Sequence, residues 1–186
     1  MNKNSNIGFV GLGNMGKPIF DNLNKEFSNV FGFDKDTSKL KINGFSSSLN
    51  EIFEKCKIII FCIESNEQII DIIKENAIKK NTIIIDLTSS LPELTKQISS
   101  YLKKFESHYI DAGMSGGASG ASNGTLTLML GGSKTICKKI DFILKTFAKN
   151  IFYLGKSGNG HLMKLLHNSV CHSTVSYTHL TLPTTD

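Results

Sequence analysis

Residues 7–23 read IGFVGLGNMGKPIFDNL. The run Ile7–Val10 is short and apolar, the length of a buried strand. Gly11, Gly13 and Gly16 follow as G-x-G-x-x-G, and Met15, Ile19, Phe20 and Leu23 then recur with helical spacing. Strand, glycine turn and helix in that order are the context in which such a triplet binds a dinucleotide. Gly11 supplies the tight turn, Gly13 lets the backbone approach a pyrophosphate, and Gly16 lets the helix pack closely on the strand. The pyrophosphate is expected on the helix N-terminus, where free N–H groups and the helix dipole favour negative charge. Leu12, Asn14 and Met15 complete the loop and are expected to line the same cofactor site.

Working outward, Val30–Phe33 reads as a second strand that ends on Asp34, roughly 20 residues beyond the glycines. A carboxylate there accepts the ribose hydroxyls of NAD and repels the extra phosphate of NADP. The chain has no Arg; its 21 basic residues are all Lys. Arg is the usual partner of a ribose phosphate because its planar fork matches the oxygens. NAD is therefore the expected cofactor, with Lys35 leaving NADP open. A turn at 34–39, DKDTSK, is the plainer use of Asp34.

The rest of the chain alternates strands and helices. Apolar strand candidates are 7–10, 30–33, 57–63, 82–86, 107–110, 125–130 and 150–154, and helical patterns fall at 14–25, 48–55, 66–78, 91–104, 133–147 and 158–174. This alternation predicts an α/β fold with a Rossmann-type, doubly wound, mostly parallel sheet. The chain is 186 residues long and 40% hydrophobic, enough for one such domain with a remainder. The net charge of +5 is spread over single lysines rather than blocks, which argues against nucleic acid as a partner. There is no apolar run long enough to span a membrane and no metal-ligand spacing among His, Cys and carboxylates. Cys56, Cys62, Cys137 and Cys171 show no C-x-x-C pairing and read as reduced, buried thiols of a cytoplasmic protein.

Two further segments carry candidate chemistry. The first is 111–132, DAGMSGGASGASNGTLTLMLGG. Its glycine density leaves backbone N–H groups uncovered, so Ser115, Gly116 and Gly117 read as a cradle for a carboxylate or phosphate. A glycine-rich turn between two strands has the same composition. The second is 155–169, GKSGNGHLMKLLHNS. A helix is expected after Gly158 and Gly160, with Lys164 and Asn168 four apart on one face and His167 three from Lys164. The helix N-terminus disfavours the charged form of a nearby lysine, and a cationic nicotinamide would do so further. A lysine tuned that way can move a proton near neutral pH. A solvated lysine on an ordinary helix is the alternative.

In order and spacing, GFVGLGNMG, DLTSSLP, DAGMSGGASGASNGTLTLMLGG and GKSGNGHLMKLLHN resemble the four signatures of the β-hydroxyacid dehydrogenases, a family that includes 3-hydroxyisobutyrate dehydrogenase and tartronate semialdehyde reductase. The resemblance covers residues 7–169. It implies a Rossmann domain that binds NAD(P), with Ile63, Glu64 and Ser89 also lining the cofactor. It implies that Ser115, Gly116 and Gly117 hold a substrate carboxylate, that Lys164 is the catalytic lysine and that Asn168 supports it. The implied reaction interconverts a small β-hydroxy acid and its semialdehyde or ketoacid, in a homo-oligomer. Gly113 stands where the family usually has Pro, and Glu64 replaces a common Pro. His167, often Asn in the family, is similar to the substrate-touching His–Asn pair of the sister 6-phosphogluconate dehydrogenases. A decarboxylating enzyme of that kind and a non-catalytic dinucleotide-binding module are the alternative readings.

The last segment, VSYTHLTLPTTD at 175–186, is rich in Thr and has no Lys. It resembles a translated sequencing adapter, and such scars do not belong to a fold. The expected organisation is therefore a dinucleotide-binding domain at 1–156, the start of an interdomain helix at 157–174, and a non-native tail at 175–186. The all-α domain that follows this helix in the family is not among these residues, and the chain is expected to be inactive alone. Leu162, Leu165, Leu166 and Val170 are expected to form an uncovered apolar helix face.

Overall fold

The structure, a computed structural model, describes residues 5–36 and 48–181, the side chains of 172 and 174–181 excepted. Part of the turn expected at 34–39 and the last five residues of the Thr-rich tail lie outside the described residues. Seven strands form one sheet: β1 (Ile7–Val10), β2 (Val30–Phe33), β3 (Ile58–Phe61), β4 (Ile83–Asp86), β5 (His108–Ser115), β6 (Leu126–Gly131) and β7 (Ala148–Tyr153). Their order is β2-β1-β3-β4-β5-β6-β7. All neighbours are parallel except β5 and β6, which run antiparallel.

The strand composition explains the layering. In β3, Ile58 and Ile60 enter one core while Ile59 and Phe61 enter another, because successive side chains of a strand leave on opposite faces. Central parallel strands covered on both faces read as continuous apolar runs, as IIIF and IIID do here. On one face lie α1 (Gly16–Glu26), α5 (Gly117–Asn123) and α6 (Lys134–Leu144); on the other lie α2 (Leu49–Lys55), α3 (Asn66–Glu75) and α4 (Pro92–Lys103). The last helix, α7 (Asn159–Thr181), packs on β5 and β6 and touches α4. Each fully buried isoleucine of this double core contributes roughly 1.5–3 kcal/mol.

Local signals set the ends. Ser48 Oγ accepts the Glu51 N–H at 3.2 Å and caps α2. Pro92 opens α4, where a missing N–H costs nothing. Two expectations need correction. The glycine-rich stretch is more than a turn between two strands: β5 continues to Ser115, Gly116 turns the chain at φ +125°, and α5 begins at Gly117. The helical pattern does not stop at 174, since α7 continues to Thr181. Helices tolerate Thr and Ser at a cost of only tenths of a kcal/mol per residue, so a change of composition alone did not end this one.

All four cysteines are free. Cys56 and Cys137 are buried and Cys62 half-buried, but Cys171 is exposed, correcting the expectation; it follows the exposed Val170 on α7. Burial pushes the Cys56 and Cys62 thiols up to about 12 and Cys137 to about 11, against 9.0 for a free thiol. The folded state therefore holds these protons more tightly than the unfolded chain. Their contribution is fully present below pH 9 and is lost as pH rises toward 12. Urea midpoints measured from pH 8 upward are expected to fall more steeply in the parent chain than in Cys56→Ala; equal slopes would contradict the burial assigned to this thiol.

Candidate functional site

The parallel register brings the candidate residues to one rim. Val10 is level with Phe33 and Phe61, Phe61 with Asp86, and Asp86 with Asp111. The residues at or just after the strand ends are Gly11–Gly16, Asp34 and Lys35, Ile63 and Glu64, Ser89, and Gly113–Gly117, the last group closing β5 itself. All of them stand at the carboxyl ends of the strands. The chain returns from β2 to the far side of β1 to form β3, which makes this the switch point where open α/β sheets bind ligands.

The glycine turn fits a pyrophosphate. Gly11 has φ +100°, and a side chain there would strike the Cys62 carbonyl and Ile63 Cγ2. A Cβ on Gly16 would land on the Gly11 carbonyl oxygen, so α1 sits as close to β1 as backbone allows. A Cβ on Gly13 would meet nothing within 4 Å. The open space lies at the N-terminus of α1, which has no side-chain cap and no acidic residue in its first turn. Asn14 is exposed and Met15 half-buried on the same loop. Leu12 turns its side chain into the core and donates its N–H to Asp34 Oδ2 at 2.6 Å. Asp34 Oδ1 accepts the Asp36 N–H at 2.9 Å. The acid expected to meet ribose thus also ties β2 to the glycine turn. Lys35, Glu64 and Ser89 are exposed and Ile63 half-buried around the same rim.

The other half of the rim is organised by Asp111. Its carboxylate is fully buried and accepts Gly158 N–H at 2.8 Å, Gly160 N–H at 2.8 Å and His161 N–H at 3.2 Å, with Ser157 Oγ at 3.4 Å. These are the free donors at the start of α7. The positive end of α7 is therefore answered by Asp111, and Lys164 lies in the second turn. Close contact completes the seat. A Cβ on Gly113 would lie 2.7 Å from Lys164 Cβ and 2.9 Å from the Gly160 carbonyl, and one on Gly131 would lie 2.5 Å from Asp111 Oδ2. Glycine at 113 is what lets the lysine-bearing turn rest on β5. Lys164, His167 and Asn168 are all half-buried there. Ser115 is half-buried, and Gly116 and Gly117 are exposed, at the end of the same strand. Beyond the seat, Leu162, Leu166 and Val170 are 45%, 54% and 66% exposed. Leu165 is half-buried, so it does not share that face fully.

A second buried carboxylate was not singled out from the sequence. Asp86 ends β4 with no exposure and accepts Thr88 N–H at 2.8 Å, Thr88 Oγ1 at 2.5 Å and Tyr109 OH at 2.5 Å. Thr88 Oγ1 also bonds Ser90 Oγ. Burial, with the Asp86 charge behind it, holds the Tyr109 hydroxyl well above its usual range. The available signal was an acid closing an apolar run, IIID for Asp86 and HYID for Asp111, since a buried charge needs dedicated partners. No group of three potential metal ligands occurs among the described residues.

Seven strands in this order, a glycine turn at the switch point and an acid closing β2 define a dinucleotide-binding domain of the Rossmann type. Comparison with known proteins specifies the family. Residues 6–155 match the family described as the NAD binding domain of 6-phosphogluconate dehydrogenase, and the chain belongs to it. It is 33% identical over 178 residues to 2-(hydroxymethyl)glutarate dehydrogenase of Eubacterium barkeri, covering 90% of this chain and 59% of that protein. It is 32% identical over 174 residues to a probable mitochondrial 3-hydroxyisobutyrate dehydrogenase of Dictyostelium discoideum, covering 88% and 54%. The structure of Mycobacterium tuberculosis 3-hydroxyisobutyrate dehydrogenase with L-serine superposes with a TM-score of 0.86 at 25% identity, covering 97% of this chain and 67% of that one. The chain thus spans between half and three-fifths of the length of these two curated relatives.

Asp111→Ala would strand three buried N–H donors at the start of α7. It is expected to cost at least about 3 kcal/mol in urea unfolding, given 1–3 kcal/mol for each unsatisfied buried group. A loss below about 1 kcal/mol would mean that water replaces the carboxylate.

Proposed function

We propose that the whole protein carrying this chain is an NAD-dependent oxidoreductase that interconverts a small β-hydroxy acid and its semialdehyde or ketoacid. The observation that carries the reading is the seating of Lys164 over Gly113, on the same rim as the glycine turn and at the end of the strand that delivers Ser115. The names of the two curated relatives, both dehydrogenases of hydroxylated carboxylic acids, support the substrate class. The bound nicotinamide supplies or accepts hydride. Everything else falls to side chains and backbone of this chain. Gly11, Gly13 and Gly16 with Asn14 and Met15 hold the pyrophosphate, Asp34 the ribose, and Ile63, Glu64 and Ser89 the remaining wall. Ser115, Gly116 and Gly117 anchor the substrate carboxylate, which fixes the carbon that reacts. Lys164 takes the hydroxyl proton on oxidation and returns it on reduction. Asn168 holds Lys164 or the reacting oxygen, and His167 borders the substrate.

A second reading is a 6-phosphogluconate dehydrogenase-like decarboxylating enzyme. The matched family description and the His167–Asn168 pair favour it. A non-catalytic dinucleotide-binding module would keep the glycine turn without needing Lys164 and Ser115 on the rim. The organisation that goes with the main reading is a binding domain at 1–156, α7 as connecting helix from 157, and residues 175–186 as a non-native tail. A reducing compartment, the cytoplasm first, fits four free thiols. No helix among the described residues is long and apolar enough to cross a membrane.

In the whole protein, Lys164→Ala is expected to cut turnover by about 10²–10⁴-fold, the range for a positioned acid–base group, with NAD affinity little changed. Near-normal turnover would remove Lys164 from the mechanism. The 186-residue chain alone should bind NAD weakly and turn over nothing measurable.

Cofactor choice is tested by titration. The unsubstituted chain should bind NAD more tightly than NADP. Asp34→Ser should weaken NAD by roughly 1.5–3 kcal/mol, the scale of hydrogen bonds to a charged acceptor, and narrow the gap to NADP. Tighter NADP binding by the unsubstituted chain would refute the assignment.

A further inference from the structure

His161 is fully buried on the first turn of α7, yet nothing proposed above uses its side chain. Its Nδ1 lies 2.8 Å from Thr95 Oγ1 on α4. Its Nε2 has no hydrogen-bond partner and lies 3.7 Å from Asp86 Oδ2 on β4. The ring therefore bridges two elements that do not belong to its own helix.

The network selects one tautomer. The Thr95 hydroxyl has two acceptors in reach, the Leu91 carbonyl at 3.1 Å and His161 Nδ1 at 2.8 Å, so it tolerates either ring state. Asp86 does not. A lone pair on Nε2 would face a carboxylate oxygen, acceptor against acceptor, whereas a proton there faces a charge that attracts it. With Nε2 protonated, Nδ1 accepts from Thr95.

Helix geometry gives this bridge a purpose. At 3.6 residues per turn, Lys164 stands about 60° round α7 from His161, and Asn168 about 20°. The three residues form one stripe whose first member is buried and whose later members are half-buried at the rim. Asp111 and the close contacts at Gly113 and Gly160 seat the first turn of α7 on β5. His161 reaches sideways from the helix to α4 and β4, farther from the axis than any backbone group, and adds its own resistance to rotation. We infer that His161, held by Thr95 and Asp86 as the Nε2–H tautomer, is the positioning residue that sets the rotation of α7 and so aims Lys164 and Asn168 at the reacting oxygen. The inference rests on the reading of Lys164 as the proton-transfer group.

Two measurements test it. Imidazole ¹⁵N NMR of the 186-residue chain should show a protonated Nε2 and a bare, accepting Nδ1 on His161. The opposite tautomer would overturn the network. In the whole protein, His161→Leu fills the volume without the polar contacts, and His161→Gln places an amide N–H near the site of Nε2. Turnover is expected to fall about 100-fold in His161→Leu, as displacement of a reacting group by about an ångström can cost, with the KM for NAD unchanged. His161→Gln should restore it to within about threefold of the parent if only aim was lost. Undiminished turnover in His161→Leu, or equal loss of turnover and NAD affinity in both variants, would overturn the positioning role. Lys164→Ala measured alongside separates the two failures: if it too keeps normal turnover, the reading beneath the inference has failed.

Discussion

The grip of Asp111 on the first turn of α7 is the interaction on which the candidate site depends. A carboxylate with no solvent contact is costly unless dedicated donors surround it. Here the donors are the N–H groups that a helix cannot satisfy within itself. Each side solves the other's problem, and the solution has one geometry. Glycines at 113, 131 and 160 clear the space, because a Cβ at any of them would collide with the carboxylate, with the Asp111 backbone or with the helix. The same closeness that lets the cap form sets the Lys164 Cβ against β5. Packing, electrostatics and the presentation of the lysine are therefore one constraint.

The dinucleotide half of the rim was legible because its demands are local. A glycine triplet, a four-residue apolar strand before it and an acid closing the next strand are all set by neighbours in sequence. The apolar runs placed β1 to β4 to within a residue or two for the same reason, while β5 runs five residues beyond the 107–110 expected. Three features were not legible. The 117–123 helix has the composition of a loop, GASGASN, and forms because Gly116 and Gly124 adopt positive φ at its ends and Leu126 packs beneath it. The antiparallel step between β5 and β6 depends on that short helix and leaves no trace in periodicity. The Asp86–Tyr109–His161–Thr95 cluster joins two strands and two helices, so no window of sequence contains it. Lys164 is located by resemblance alone, while the reason it stands on the rim lies in the contacts of residues 111, 113 and 160.

Asp34 shows how one residue can answer two needs. Its oxygens accept the Leu12 and Asp36 N–H groups, and under the proposed reading the same carboxylate meets the ribose hydroxyls. The bond to Leu12 ties the acid to the turn that would carry the pyrophosphate, and this fixes the spacing between two anchor points of one ligand. Pre-set spacing lowers the ordering cost of binding.

The reversal of direction between β5 and β6 has a consequence for where this molecule can grow. Because β6 and β7 run opposite to β5, α7 starts level with Asp111 and climbs alongside β5. A parallel β6 and β7 would have released the helix at the top and sent it downward, away from the cofactor end. Climbing instead, α7 passes Gly113 at Lys164 and runs on through the ten residues to 174, about 15 Å at 1.5 Å per residue. It behaves as a mast stepped at Asp111. The polarity of β6 and β7 thus decides that α7 leaves the sheet at its cofactor end and not at its base.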